Sequence, residues 1–187
     1  DGKTILAIIP ARSGSKRIPN KNIKEFSGKP LIVHTIEHAL AASYIDRVIV
    51  DTDSVEIAKI VRDNGAEVPF LRPPELAQDT SLVIDNIIYT LNKLKENGGY
   101  NPTHVVILQT TSPLREVGDI DKCWDLMQRS NATTVLTVCS THPRLYHLTE
   151  KNDIVLVNGT ESASTNIQDW PPGYILNGCF VYIIETK

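Results

Sequence analysis

The sequence has 187 residues, enough for one domain with a sizeable core and too few for two comfortable ones. Apolar residues make up 41% and charged residues 22%, which excludes a disordered or fibrous chain. The formal net charge of −3 argues against a nucleic-acid partner bound through an overall basic excess. We therefore expect a single domain, 1–187.

Short β-branched and aliphatic runs alternate with helical patterns along most of the chain. The predicted strands are 4–9, 47–50, 67–71, 105–108 and 133–138. The predicted helices are 31–42, 55–64, 82–95 and 120–129. Because most of these strands are apolar throughout, we expect them to be buried on both faces, as in a parallel sheet covered by helices. The alternation predicts an α/β fold with a three-layer, doubly wound, mainly parallel sheet.

Several predicted helices carry their own end signals. Asp53 or Ser54 can cap the second helix and Ser81 the third, because short oxygen-bearing side chains accept from free amide groups. Gly65 and Gly98 stand where a left-handed residue is expected to end a helix.

The pattern changes from about residue 140. Residues 141–173 are richer in polar residues, proline and glycine, and a predicted strand over 174–184 follows. The middle piece is interpreted as a flap or an excursion on the substrate side. Because the sequence stops directly after a strand, we expect the domain to be truncated at its C-terminus.

The loop after the first predicted strand is basic. Its cations, with one just beyond it, are Arg12, Lys16, Arg17, Lys21 and Lys24. In doubly wound sheets ligands bind outside the carboxyl ends of strands, where this loop lies. Gly14 allows a phosphate to approach closely, and Ser13 and Ser15 can add hydroxyl donors. The sequence GxxxxGK[ST] of a Walker loop is absent. We interpret the loop as a triphosphate site; a solvated basic turn is the alternative.

This loop and four later segments resemble, in order, the motifs of the cytidylyltransferases that activate sialic acids and related nine-carbon keto sugars. The loop is similar to the signature ARxxSKxxxxKN. The later segments, 50–53, 71–80, 108–115 and 176–178, resemble a Ser-Thr-Asp turn, LRPxELAxDT, LQPTSPLR and an Asn-Gly before a late strand. The resemblance spans nearly all of the chain. It implies a nucleotide-diphospho-sugar transferase-like fold and membership of the N-acylneuraminate cytidylyltransferase (CMP-sialic acid synthetase) family.

The resemblance also implies roles for individual residues. Nucleotide-binding roles fall on Arg12, Ser13, Gly14, Ser15, Lys16, Lys21, Asn22, Arg72 and Asp79. Among these, Arg12 and Lys21 would hold the triphosphate and act in catalysis. Gln109 and Asn177 would lie on the side of the acceptor sugar.

The implied reaction joins CTP to an acidic keto sugar. The anomeric hydroxyl of the sugar would attack the α-phosphorus of CTP and expel pyrophosphate, a reaction that needs positioning and charge neutralisation. The family uses Mg²⁺ held by an Asp-x-Asp pair downstream of the late strand, so the metal ligands are not identifiable in this chain. Family members are commonly dimers, and a homodimer is expected.

Several alternatives stay open. The acceptor can be legionaminic, pseudaminic or a shorter keto-deoxy acid, because 167–171 and Leu176 stand where the family has sugar-binding arginines. GTP can replace CTP, and a non-catalytic nucleotide- or sugar-binding domain is a rival from another class. His34, Glu37 and His38 match HxxEH, an inverted metalloprotease signature that still requires a third zinc ligand.

A few further side chains have ordinary structural interpretations beside their functional ones. His142 and His147 can meet an acidic sugar but are more typical of a surface, and Trp170 and Tyr174 can stack on a ligand or pack a loop.

The cysteines and the apolar runs bear on location. Cys123, Cys139 and Cys179 form no CxxC pair, which favours free thiols over a disulfide framework or a zinc site. No apolar run approaches the ~18 residues that cross a bilayer, and the N-terminus has no signal-peptide pattern. We expect a cytoplasmic protein with no membrane or nucleic-acid partner.

Overall fold

The computed structural model describes residues 2–142, 146–156, 172–178 and 180–186. The chain divides into two compact units, one formed by 1–137 with 178–187 and the other by 138–177. The second unit begins just before the predicted flap, of which 143–145 and 157–171 lie outside the described residues. The single domain over 1–187 stays a prediction.

The secondary structure follows the predicted alternation. The strands are β1 (Ile5–Pro10), β2 (Glu25–Phe26), β3 (Lys29–Pro30), β4 (Arg47–Asp51), β5 (His104–Ile107), β6 (Thr134–Leu136), β7 (Val138–Thr141), β8 (Tyr146–Leu148), β9 (Ile154–Leu156), β10 (Gly173–Leu176) and β11 (Tyr182–Glu185). The helices are α1 (Leu31–Ala41), α2 (Val55–Asp63), α3 (Val83–Gly98) and α4 (Val117–Ser130), with 3₁₀ turns at Lys21–Ile23 and Pro74–Leu76. None of the described helices is both long and apolar enough to cross a membrane.

The larger unit is built on a five-stranded sheet with the order β4-β1-β5-β11-β6. Strand β1 pairs in parallel with β4 and with β5, and places Ile8 opposite Ile49 and Ile107. Strand β11 runs antiparallel to both β5 and β6. The other four strands therefore share one direction, which confirms the mainly parallel sheet.

Helices cover both faces of this sheet. One core combines Ile36 of α1, Val61 of α2 and Trp124 of α4 with the side chains of alternate strand residues such as Ile9. On the opposite face Ile87 and Leu94 of α3 pack with Leu6, Ile8 and Ile49. Successive strand residues point to opposite faces, so both sets are apolar. The three-layer arrangement is confirmed.

Three predicted strands were wrong in extent. The predicted strand 67–71 pairs only through Glu67, which bridges to Ile49, because Pro69 has no amide to continue the ladder. The predicted strand 133–138 divides at Thr137 into β6 and β7, which belong to different sheets. The predicted strand 174–184 likewise divides into β10 and β11, with Gly178 between them at a φ of 78°.

The capping predictions were partly right. Of the two residues predicted to cap α2, Asp53 and Ser54, it is Ser54 whose side chain accepts from the amide of Ile57. Gly65, which follows α2, has a φ of 85°, as expected of a left-handed helix end. Ser81 does not cap α3, since its hydroxyl bonds within its own loop and Leu82 precedes the helix. Gly98 is the last residue of α3, and Gly99 adopts the left-handed conformation instead, with a φ of 66°.

Acidification is expected to destabilise the fold through a buried histidine. His104 begins β5, and its ring meets Trp124 edge-on with the ring centroids 4.8 Å apart. Burial lowers the pKa of His104 below its ordinary value. The unfolded chain therefore binds this proton from about pH 6.5 downwards while the native state resists it, so stability falls as the pH drops. Urea denaturation at pH 7.5 and 5.5 measures the loss.

A neutral substitution isolates this contribution. The His104→Gln variant cannot take up the proton, so its denaturation midpoint should fall less between the two pH values than that of the wild type. The matched control is His142→Gln, which alters an exposed residue. An equal pH-dependent loss in the His104 variant and the wild type would contradict the assignment.

Candidate functional site

A cleft of about 280 Å³ opens at the carboxyl ends of β1 and β5 in the larger unit. The predicted site residues that line it are Arg12, Ser15, Lys21, Asn22, Arg72, Asp79 and Gln109. The loop after β1 therefore faces the segment before α3 across one cavity. Lys16 contacts Asp79 beside the cleft, while Ser13 and Gly14 do not line it.

Three predicted residues have positions that qualify their expected roles. The backbone of Gly14 is not left-handed, and a Cβ placed there would meet open space. The predicted approach of a phosphate to Gly14 would therefore depend on this space and not on a special backbone conformation. Ser13 is held by Asp53, which accepts from its amide at 2.8 Å and from its hydroxyl at 2.6 Å. Asn177 belongs to the 138–177 unit, and its role on the sugar side stays a prediction.

The cations of the basic loop differ in their ion pairing and in their burial. The guanidinium Nη2 of Arg12 lies 2.8 Å from Asp79 Oδ1, and the ammonium of Lys16 contacts the other oxygen of the same carboxylate. Lys21 also lines the cleft, and burial, followed by the charges of Arg12 and Arg17, lowers its pKa. Crowded like charges of this kind create a strong site for a polyanion.

Asn22 links the basic loop to the loop after β5. Its buried side-chain amide donates to the carbonyl oxygen of Arg12 at 2.8 Å and accepts from the hydroxyl of Thr110 at 2.7 Å. The side chain thus sets the position of the Arg12 backbone relative to the sheet. The predicted role of Asn22 in binding the nucleotide would come in addition to these bonds.

Arg72 is part of a buried network on the facing wall. Its Nε and Nη2 donate to the two carboxylate oxygens of Asp51 at 2.9 and 2.6 Å, and Nη2 also reaches the Asp51 carbonyl oxygen at 3.0 Å. The side-chain amide of Asn86 is oriented so that its nitrogen donates to the Leu76 carbonyl oxygen. In this orientation its oxygen accepts from Arg72 Nη1 at 3.2 Å. Burial raises the pKa of Asp51, and the bonds from Arg72 oppose that rise. The guanidinium is therefore fixed by bonds to all three of its nitrogens in the wall of the cleft, which Arg72 lines.

Gln109 is supported by a second buried arginine. The guanidinium of Arg115 donates to the carbonyl oxygen of Gln109 at 3.2 Å and to that of Phe180. Burial lowers the pKa of Arg115 to about 10, so the group stays charged at neutral pH. Arg115 thereby connects the loop after β5 with the residues that lead into β11.

Several of these supporting residues were not predicted from the sequence. Asp51 and Thr110 lie within the motifs but were given no role. Asp53 was considered only as a helix cap, and Asn86 on α3 was not considered. Their positions at the carboxyl ends of strands were an available signal for Asp51 and Thr110. No comparable signal marks Asn86, because its contact with Arg72 depends on how α3 packs.

The HxxEH motif has structural partners. A ring nitrogen of His34 lies 2.8 Å from the carbonyl oxygen of Phe26, and Glu37 is ion-paired with Lys29. Burial, followed by the charge of Arg115, lowers the pKa of His38. The residues of this alternative motif thus lie on the polar side of α1.

Metal-binding side chains do not cluster in the part of the chain that the structure describes. No three His, Cys, Asp or Glu residues there are close enough to hold an ion together. Cys123 and Cys139 are free thiols, and Cys179 lies outside the described residues, as does Trp170. The side chain of His147 is likewise not described.

Curated relatives support a common chemistry. The chain is 48% identical over 112 residues to the CMP-N,N'-diacetyllegionaminic acid synthase of Legionella pneumophila, which covers 60% of this chain and 48% of that protein. It is 33% identical over 183 residues to the pseudaminic acid cytidylyltransferase of Campylobacter jejuni, across 95% of this chain and 77% of that protein. The N-acylneuraminate cytidylyltransferase of Streptococcus agalactiae is 33% identical, across 97% of this chain and 44% of that protein. The chain spans about half of the length of the first and third of these relatives.

Solved structures share the fold. A CMP:2-keto-3-deoxy-manno-octonic acid synthetase complexed with CTP superposes with a TM-score of 0.70 at 18% identity, across 98% of this chain and 74% of that one. A 4-diphosphocytidyl-2C-methyl-D-erythritol synthase from Anaerococcus prevotii gives 0.63 at 16% identity, across 99% and 72%. The sequence profile of the cytidylyltransferases matches residues 6–162. The chain belongs to the cytidylyltransferase family.

Proposed function

We propose that the protein transfers CMP from CTP to the anomeric hydroxyl of a sialic-acid-like acidic keto sugar and releases pyrophosphate. The observation that carries this proposal is the convergence of Arg12, Lys21 and Arg72 on one cleft that also contains Gln109. Three cations suit a triphosphate, and a neutral amide suits a hydroxylated acceptor.

The residues of the cleft have separate tasks in this reaction. Arg12 and Lys21 would neutralise the triphosphate, and Arg72 would hold the nucleotide from the facing wall. The sugar oxygen forms a bond to the α-phosphorus while the bond from that phosphorus to the bridging oxygen of pyrophosphate breaks. The hydroxyl proton leaves to solvent. Charge neutralisation on the leaving pyrophosphate is where fixed cations accelerate such a step.

The names of the relatives bear on the acceptor. The Legionella protein is a CMP-N,N'-diacetyllegionaminic acid synthase and the Campylobacter protein a pseudaminic acid cytidylyltransferase. A keto sugar of this acidic, acylated type is therefore the second candidate acceptor beside N-acylneuraminate. Asn177 stays the predicted residue on the sugar side, and a homodimer, Mg²⁺ and a cytoplasmic location remain expectations.

Pyrophosphate release tests the proposal. The protein is incubated with Mg²⁺, CTP or GTP, and each of N-acetylneuraminic, legionaminic, pseudaminic and keto-deoxyoctonic acid, and pyrophosphate and the sugar nucleotide are both measured. We expect release with CTP and at least one of these acids. Tight binding of CTP without release of its pyrophosphate in the presence of any of these acids would instead support a nucleotide-binding domain.

A further inference from the structure

Two cations of the basic loop are paired with a carboxylate from the other wall of the cleft. Oxygen Oδ1 of Asp79 lies 2.8 Å from Arg12 Nη2, and Oδ2 contacts the ammonium of Lys16. Asp79 belongs to the segment between the 3₁₀ turn Pro74–Leu76 and α3. The pair therefore connects the loop after β1 with the loop before α3 across the opening.

The geometry is that of an anion held by two separate cations. Each carboxylate oxygen has its own partner, as two non-bridging oxygens of a phosphate would. The bond from Lys16, and after it the one from Arg12, lowers the pKa of Asp79, so the group is anionic at neutral pH. Its side chain is 41% exposed, so water can compete with both contacts.

We propose that Asp79 occupies, in the free protein, a phosphate subsite formed by Arg12 and Lys16, and that the polyphosphate of the nucleotide displaces it. This inference rests on the proposed function for the identity of the ligand. Asp79 then competes with the nucleotide, whereas the resemblance implies that it helps to bind the nucleotide. The two roles predict opposite effects of removing its charge.

Replacing Asp79 by a polyphosphate at these cations costs little free energy, because exposed ion pairs are weak. Pairs of this kind contribute little stability and are screened by salt, whereas a triphosphate brings several charged oxygens to the same cations. The segment that carries Asp79 is tied to itself, since Ser81 donates to the Glu75 carbonyl oxygen at 3.2 Å and accepts from the Gln78 amide at 3.1 Å. Asp79 can therefore release its partners while the segment keeps these bonds.

Calorimetric titration with inorganic tripolyphosphate tests the inference on the whole chain. The Asp79→Asn variant keeps the shape of the side chain and removes the competing charge, so its Kd should be about two- to tenfold lower than that of the wild type. Glu75→Gln is the matched control, because it removes the same charge from an exposed position of the same segment. Its Kd should stay close to the wild-type value.

A second comparison tests the partners. In a background that carries Arg12→Ala and Lys16→Ala, Asp79→Asn should no longer tighten binding, since no subsite remains for which to compete. An unchanged or higher Kd in Asp79→Asn, equal tightening in Glu75→Gln, or no binding of tripolyphosphate by either protein would each overturn the inference.

The same variants separate this inference from the proposed function. Tighter tripolyphosphate binding by Asp79→Asn, together with a wild type that releases no pyrophosphate from CTP, would support the subsite and refute the transferase. CTP-dependent pyrophosphate release with an unchanged Kd in Asp79→Asn would do the reverse.

Discussion

Replacing Arg12 with alanine is expected to lower kcat/KM for CTP by about 10²–10³-fold, the usual cost of losing one preorganised cation from a charged transition state. Arg12 lines the cleft, and its backbone carbonyl is fixed by Asn22, so its guanidinium is delivered to a defined place. Pyrophosphate release under CTP-limited conditions measures the loss. Because the side chain is partly exposed, thermal unfolding should change little.

Two comparisons show whether the guanidinium itself matters. Arg12→Lys keeps the charge but loses the two-pronged donor, so it should fall between the wild type and the alanine variant. Arg17→Ala removes a charge from an exposed position of the same loop that does not line the cleft, and should cause a much smaller loss. Near-normal turnover in Arg12→Ala would refute the triphosphate loop.

The elements of this fold were predictable where a local pattern determines them. Apolar runs such as 105–108 identify buried strands, and Ser54 marks the start of α2, because periodicity and capping depend on neighbours in sequence. The error at 67–71 arose from reading apolarity without Pro69, which removes the amide that a ladder needs. The error at Ser81 shows that a capping side chain can bond within its own loop instead.

The site was predictable as a set of residues but not as a network. Motif positions brought Arg12, Lys21 and Gln109 to one expected cleft, and the structure places them there. The bond between Asn22 and Thr110 joins residues 88 positions apart, and it exists because β1 pairs with β5 in one register. A single sequence does not specify that register, so supporting contacts of this kind could not be derived from it.

The second large effect is expected at the buried pair of Asp51 and Arg72. Both side chains are almost completely buried, at 1% and 3% exposure. In Asp51→Ala the guanidinium would keep its charge without its carboxylate partner, which costs about 3–5 kcal/mol. That is a large part of the roughly 5–15 kcal/mol that holds a typical domain together. Urea denaturation of the variant and the wild type measures the difference.

The control for burial is an exposed pair of the same type. Arg47 and Glu67 are also bonded through two nitrogens and two oxygens, but Glu67 is 46% exposed. Glu67→Ala should therefore cost no more than about 1 kcal/mol. Equal losses in Asp51→Ala and Glu67→Ala would show that burial does not govern the Asp51 pair.

A double variant distinguishes stability from function at this position. Replacing both partners by apolar residues, as in Asp51→Val with Arg72→Met, leaves no unpaired charge and should recover most of the lost stability. It also removes an arginine that lines the cleft and bonds Asn86. Pyrophosphate release should therefore stay low although the protein is stable again. Recovery of activity together with stability would mean that Arg72 supports the fold alone and does not hold the nucleotide.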